Sequence, residues 1–309
     1  MEILLGIEAL FSATLRMATP LIFAAIGENL SERSGVINIG LEGLMLIGAF
    51  TAYAVAFFTH SLWLAIILAG LVTALFGLAF AYVTISLKTN QIIMGVVLNM
   101  VGAGATGFLY RTIFAQSGLA GAVKIIEPVS IPLFASIPVL GPIFFKQNVL
   151  VYCMYLLVPA AAYTLYKTNF GLSLRAVGEY PHAVASVGLK VSLLRYIPVI
   201  AGSLLVGIGG AYLSIAHANQ FVEGMTAGRG YIALAMVPLG AWNPIWVSLA
   251  GILFGCAYAL QLSLQVGQQM VAYQFLQILP YVVTFVALIL AHKESAQPSA
   301  LAVPYEEEL

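Results

Sequence analysis

The sequence predicts an all-α, polytopic integral membrane protein with about nine transmembrane helices, two of them short or broken and arranged as an inverted repeat. Three observations carry this. Hydrophobic residues make up 61% of the chain and charged residues 8%, with a mean hydropathy of +1.01, more apolar surface than one water-soluble globule can bury. Several apolar runs approach or exceed the roughly 20 residues that a helix needs to cross a hydrocarbon layer of about 30 Å. The short alternating segments of a membrane-spanning barrel are missing.

The apolar runs place spans at about 9 to 27, 36 to 57, 62 to 87, 91 to 110, 149 to 166, 196 to 216, 229 to 241, 245 to 265 and 274 to 291. Between the fourth and fifth, Arg111 to Asn148 carries Pro128, Pro132, Pro138 and Pro142 and lacks sustained apolar length, which predicts an extramembrane loop with short helices. Residues 1–292 form one transmembrane domain in this reading. Residues 293–309, ending in Glu306, Glu307 and Glu308, are expected to form a frayed polar tail. The N-terminal segment has Glu2 and Glu8 where a secretory signal would be basic, so the first span is expected to stay in the mature protein.

Between the fifth and sixth spans lies a polar island, Lys167 to Arg195, with Lys167, Arg175, Lys190 and Arg195 against the single Glu179. Basic loops face the cytoplasm, so the island and Lys88 are expected there. The basic residues Arg111, Lys124 and Lys146 of the opposite loop reduce that bias. Within the island, Pro181 is placed to open a short helix with small residues behind it, Ala183 and Ala185, flanked by Glu179, Tyr180 and His182. Such a helix can nest in the groove of a soluble partner.

The run from Gly228 to Trp242 is too short to cross a bilayer at 1.5 Å per residue. Gly35 to Phe50 is similarly opened by glycine and ends in Gly-Ala-aromatic. By the span count the two run in opposite directions, as discontinuous helices do at a transport pathway. Glycines that merely permit close helix packing are the alternative.

Glu42 falls inside an apolar run, four residues after Asn38, so a continuous helix would put both on one face. A carboxylate at that depth reads either as a structural pair, with Arg16 the available counter-charge, or as part of a solute path. Gln91 and Asn99 on the fourth span add neutral hydrogen-bonding groups suited to an uncharged polar solute, or to helix-to-helix bonds. Arg229, between Gly228 and Gly230, reads as a gate at the outer mouth or as an interfacial anchor.

Several function classes are excluded. All twelve acidic residues are glutamates, which rules out aspartyl phosphorylation and aspartic proteolysis. His60, His182, His217 and His292 show no metal-ligand spacing, and Cys153 and Cys256 lie alone inside spans. Neither a phosphate-binding Gly-x-x-x-x-Gly-Lys-[Ser/Thr] loop nor a Gly-x-Ser-x-Gly elbow occurs. Energy for transport must therefore come from an ion gradient or from another subunit.

Three ordered blocks resemble one family: Ala18 to Phe50, ATPLIFAAIGENLSERSGVINIGLEGLMLIGAF; Arg175-Ala176-Val177-Gly178-Glu179 followed by Pro181, Ala185 and Gly188-Leu189-Lys190-Val191; and Gly224 to Pro244, GMTAGRGYIALAMVPLGAWNP. They are similar to permease subunits of ATP-binding-cassette importers of the ribose and branched-chain amino acid permease superfamily, most of all its nucleoside and simple-sugar branch. The resemblance implies a cell-membrane transport subunit that works by alternating access and is not itself an enzyme. It implies no cofactor on this chain, ATP and Mg belonging to a cytoplasmic ATPase partner. A second, longer permease and a substrate-binding lipoprotein are the other implied partners, with no nucleic acid. Residues Glu179 to Ala185 would form the coupling helix, with Arg175 and Gly188 flanking it. Branched-chain amino acids or ribose are alternative solutes, and a gradient-driven secondary transporter is the rival class.

Overall fold

The computed structural model describes residues 2–115, 121–132, 134–135, 137–266 and 297–306, with isolated helical positions between 278 and 289. Its helices are α1 (Glu2–Arg33), α2 (Leu41–Thr59), α3 (Leu62–Ala81), α4 (Gln91–Tyr110), α5 (Leu140–Phe144), α6 (Val149–Lys167), α7 (Asn169–Glu179), α8 (Pro181–Ser186), α9 (Val191–Ala211), α10 (Arg229–Leu239) and α11 (Pro244–Val266). π-helical turns at Tyr82–Ser86, Arg111–Ala115 and Tyr212–His217 prolong α3, α4 and α9.

Local chemistry sets many of the helix starts. Ser61, Asn90, Asn148 and Thr168 each precede a helix, and their side-chain oxygens accept the orphan amides of its first turn. Between α4 and α6 the chain makes a two-residue antiparallel hairpin, Val129 opposite Gln147 and Ser130 opposite Lys146, with α5 inside it.

Among the described residues seven helices are long and apolar enough to cross a membrane, and α10 is a shorter apolar helix. Eight of the nine spans read from the sequence therefore appear as the seven long helices and the short α10, and the ninth, 274 to 291, lies largely outside the described residues. The first span runs to Arg33 rather than stopping near residue 27, because Glu28 and Glu32 in its last two turns are buried and accept from Asn38 and Trp242 instead of facing water. The second begins only at Leu41, since residues 34–40 are not helical.

Helix α1 is the central post. It packs against α9 and α11, which both run antiparallel to it: Gly27 meets Gly202, Pro20 meets Gly209, Ile22 meets Gly251 and Ala18 meets Gly255. The closest approach is Gly27 against Gly202, where a Cβ on Gly27 would lie 2.5 Å from the Gly202 carbonyl oxygen. Helices in lipid gain little from hydrophobic exclusion and depend on such backbone proximity. Helix α2 lies over α9 and along α4, and α3 closes the far side of α9. By contrast α4 and α6 bury only 22% and 28% of their apolar windows, so their outer faces are left for lipid or another subunit.

The described part of the tail, residues 297–306, is not frayed. Residues 297–306 fold back onto the end of the bundle that carries α7 and α8, with Pro298 and Ala300 buried. Its polar composition hid this because the attachment uses mainly backbone groups.

Gly202→Leu is expected to force α1 and α9 apart and cost about 1–3 kcal/mol. A fall in the melting temperature of the detergent-solubilised protein, larger than for Gly6→Leu at a site with open space, checks this.

Candidate functional site

The break between α1 and α2 sits inside the bundle, where amides without helical partners find no water to replace them. Side chains supply the acceptors one by one. Ile37 N–H donates to Gln91 Oε1 at 2.9 Å, and Asn38 N–H to Glu28 Oε1 at 2.7 Å. Gly40 N–H donates to Asn38 Oδ1 at 2.9 Å, and Gly43 N–H to Asn99 Oδ1 at 2.8 Å. Asn99 Nδ2 in turn donates to the Ile39 carbonyl and to the Tyr231 hydroxyl, at 3.0 and 3.1 Å.

At the end of this segment Glu42 joins α2 to α10. Its Oε1 accepts from Thr226 Oγ1 at 2.6 Å and Gly228 N–H at 2.8 Å, and its Oε2 from Gly230 N–H at 2.7 Å. A carboxylate from the first turn of one helix thereby caps the first turn of another, where the aligned peptide dipoles favour negative charge. The approach requires glycine: a Cβ on Gly230 would overlap the backbone of Glu42.

The depth of this junction follows from the helix rise. Asn99 lies eight residues into α4, or roughly 12 Å from its start, and α10 is eleven residues, or roughly 16 Å, long. Helix α10 ends beside the end of α1, where Trp242 Nε1 donates to Glu32 Oε2 at 2.5 Å and Arg33 Nε donates to the Trp242 carbonyl at 2.9 Å. Helices α2 and α10 therefore start together about halfway through the bundle and run in opposite directions, in accord with the two broken helices read from the sequence.

The expected path residues divide sharply. Asn38 and Gln91 are buried, and the side-chain oxygen of each serves the break. Asn38 precedes the helix, so it shares no helical face with Glu42. Arg16 makes no ion pair with Glu42, whose partners are the Thr226 hydroxyl and two amides. Arg229 stands between Gly228 and Gly230, whose amides donate to Glu42; it donates to the Met225 and Thr226 carbonyls, each at 3.2 Å, and stacks 4.8 Å from the Tyr258 ring. Asn99 reaches the uncovered face of α4, beside Tyr231 of α10, which is 49% exposed. Val96, Met100 and Ala103 are exposed along the same side of α4. Farther out, Arg111 holds Glu223 in a bidentate pair, which keeps that carboxyl below its usual pKa range, and both side chains are exposed to solvent.

Sequence reading missed Glu28, Glu32, Tyr231 and Trp242. The signal for the first two was present, since Glu28 and Glu32 stand four apart with no glycine or proline between Gly27 and Gly35 to stop the helix.

The polar island forms the other site. Pro181 opens α8 and is buried with Val184, while Ala183 and Ser186 face outward and Ala185 is half-buried. Tyr180 and Val187 project at 63% and 72% exposure, and Gly188 reverses the chain at φ 79°. Leu172, Ala176, Tyr180, Ala183, Val187 and Leu189 line a groove of about 410 Å³. Arg175 stacks over Tyr166 at 5.1 Å, and His182 lies between Tyr180 and Tyr305. Glu179, exposed at the end of α7, accepts from Ser299 through Oε2. At Gly178, α7 presses on the Arg33 carbonyl with no room for a side chain.

A bundle with opposed half-helices inside and an exposed helical protrusion at one end defines a transport subunit driven by a partner. The chain belongs to the family described as the permease component of the branched-chain amino acid transport system, which matches residues 10–291. It is 37% identical to the nucleoside ABC transporter permease protein NupC of Lactococcus lactis, over 99% of both chains. It is 38% identical to the guanosine ABC transporter permease protein NupQ of Bacillus subtilis, over 99% of this chain and 98% of that one. The putative glucose ABC transporter permease protein TsgC13 of Haloferax volcanii is 38% identical over 83% of this chain and 78% of its own. More distantly, a second nucleoside permease of the same Lactococcus strain, NupB, is 23% identical over 81% of this chain and 71% of its own. No solved structure matches. The protein is thus an ABC permease subunit of the cell membrane, a transporter part and not an enzyme. ATP hydrolysis and solute delivery belong to partner proteins.

Glu42→Gln would turn an amide NH₂ toward the α10 amides and leave a donor unsatisfied, at a cost of about 1–3 kcal/mol. A lower melting temperature together with reduced uptake is expected, and wild-type values for both would remove Glu42 as the junction.

Proposed function

We propose that this permease carries nucleosides inward, as half of a pathway completed by a second, homologous permease. Residues 1–292 act as one transmembrane domain. The observation that carries the nucleoside reading is near-full-length similarity to NupC and NupQ, both named for nucleoside or guanosine transport. The NupB and NupC pair in one strain supports a heterodimer. A substrate-binding lipoprotein delivers the solute. Similarity to TsgC13 favours a simple sugar as the second reading.

In this reading Asn99 and Tyr231 face the pathway, because they are the polar groups on the uncovered side of α4 and α10. A tyrosine ring can stack on a nucleobase, and its hydroxyl, already accepting from Asn99, has a proton to donate. Glu42, Asn38 and Gln91 hold the break open beside them, and Arg229 fixes the loop that leads into α10.

The basic end of the bundle faces the cytoplasm. There α8 docks on the ATPase, with Ala183, Ala185, Tyr180 and His182 at the contact and Arg175, Glu179, Pro181 and Gly188 setting its pose. Closure of the ATPase pair moves α8, and ATP shifts the inward-outward equilibrium only through a difference in contact energy between the two states.

Co-reconstituted with its partner permease, ATPase and lipoprotein, the protein is expected to accumulate radiolabelled guanosine only with ATP, with unlabelled nucleosides competing and glucose not. Competition by glucose alone would favour the sugar reading, and accumulation by this chain alone under an ion gradient would refute the importer mechanism. Ala183→Arg is expected to lower uptake by at least about tenfold through loss of ATPase contact, measured as co-purified ATPase and as uptake.

A further inference from the structure

Residues 297–306 touch four separate parts of the protein within a few residues. Ser299 donates to Glu179 Oε2 from both N–H and Oγ, at 3.2 and 3.0 Å, and Ala300 N–H donates to the Gly178 carbonyl at 2.9 Å. Ala302 N–H donates to the Gly35 carbonyl at 3.1 Å. The Val303 carbonyl accepts from Arg195 Nη1 at 2.9 Å. Tyr305 sets its ring 5.3 Å from His182 and packs on the cluster of Val177, Val184 and Val191. The end of α7, the break before α2, the start of α9 and the face of α8 thus share one strap.

Two features mark this as a built attachment. Arg195 is 1% exposed, a guanidinium buried at the start of α9 between Gly35 and the strap, and its Nη1 donates to the strap carbonyl of Val303. A Cβ on Gly35, which has φ 87°, would lie 3.0 Å from Arg195 Nη2 and from the Ala300 carbonyl oxygen. Ala302 itself holds φ 63°, a left-handed conformation that a non-glycine residue keeps only where its surroundings impose it.

Gly35 belongs to the non-helical segment 34–40, whose Ile37 and Asn38 amides bond to Gln91 and Glu28 and which leads into the first turn of α2, where Glu42 stands. We infer that the 297–306 strap is a positioning element for transport: it links the coupling helix α8 to the broken segment at Gly35, so that displacement of α8 reaches the α2–α10 junction. This rests on the proposed docking of α8. The contact of Gly178 with Arg33 also joins α7 to α1, but it touches neither α8 nor Gly35 directly. Loss of the strap should therefore weaken transmission while leaving the ATPase bound.

Ala302→Pro removes the N–H that bonds Gly35 and cannot adopt the left-handed φ, whereas Ala302→Gly keeps both. Tyr305→Ala removes the contact with α8, and Tyr305→Phe keeps it. In the full complex with ATPase, partner permease and lipoprotein, Ala302→Pro and Tyr305→Ala are expected to retain co-purified ATPase and ATP hydrolysis. Solute carried per ATP hydrolysed should fall by at least about fivefold, with Ala302→Gly and Tyr305→Phe near wild type. An unchanged ratio in both disruptive variants would overturn the inference. So would loss of the ATPase from both, since the strap would then serve only the docking surface. The docking assignment fails separately, if Ala183→Arg keeps its ATPase and its uptake.

Discussion

An interrupted helix inside a membrane bundle must satisfy its own backbone, and the structure is organised around how this chain does so. The segment 34–40 and the start of α10 bring a set of amides to mid-depth, and Glu28, Asn38, Gln91, Asn99 and Glu42 receive them. Each unpaired amide there would cost several kcal/mol. The polar residues of the span region are therefore a requirement of the break before they are anything else. What the break provides is irregular backbone and two helix N-termini at the centre of the protein, the arrangement on which transport pathways are built.

Glu42 has a second consequence. Because one carboxylate caps α10 from the first turn of α2, the two half-helices move as a pair, and Trp242 with Glu32 and Arg33 anchors the other end of α10 to α1. Helix α1 in turn is held against α9 and α11 by glycine contacts that leave no slack for sliding. The central unit is stiff, and the less buried α4 and α6 surround it. A stiff unit with attachments at Gly178 and Gly35 is well placed to convert a push at one end into a change at its middle.

Much of this was legible in the chain. Apolar length located the seven long helices, and glycine-opened short runs marked α2 and α10 as related. Pro181 with small residues behind it announced α8, and polar composition marked the island that carries it. The asparagines, serine and threonine that cap helices sit where capping rules place them. Those signals are local: a window of 20 residues, a proline at a helix start or a glycine at a break holds its meaning without knowledge of distant partners.

The assignment of polar residues to roles was not local, and there the sequence stopped. It could show that Glu42, Gln91, Asn38 and Asn99 lie at membrane depth, but a carboxylate facing a solute and one facing an amide look alike in one dimension. Glu42 found its partners 184 to 188 residues away, and Glu179 found Ser299 across 120. The tail was misread for the same reason, since its backbone donors carry no mark of the carbonyls they meet. Composition and periodicity determined a helical membrane protein with broken spans and a short helix in an exposed polar island. Only the tertiary structure decided which polar groups are spent on the backbone and which remain free, because hydrogen-bond partners are chosen by proximity in space.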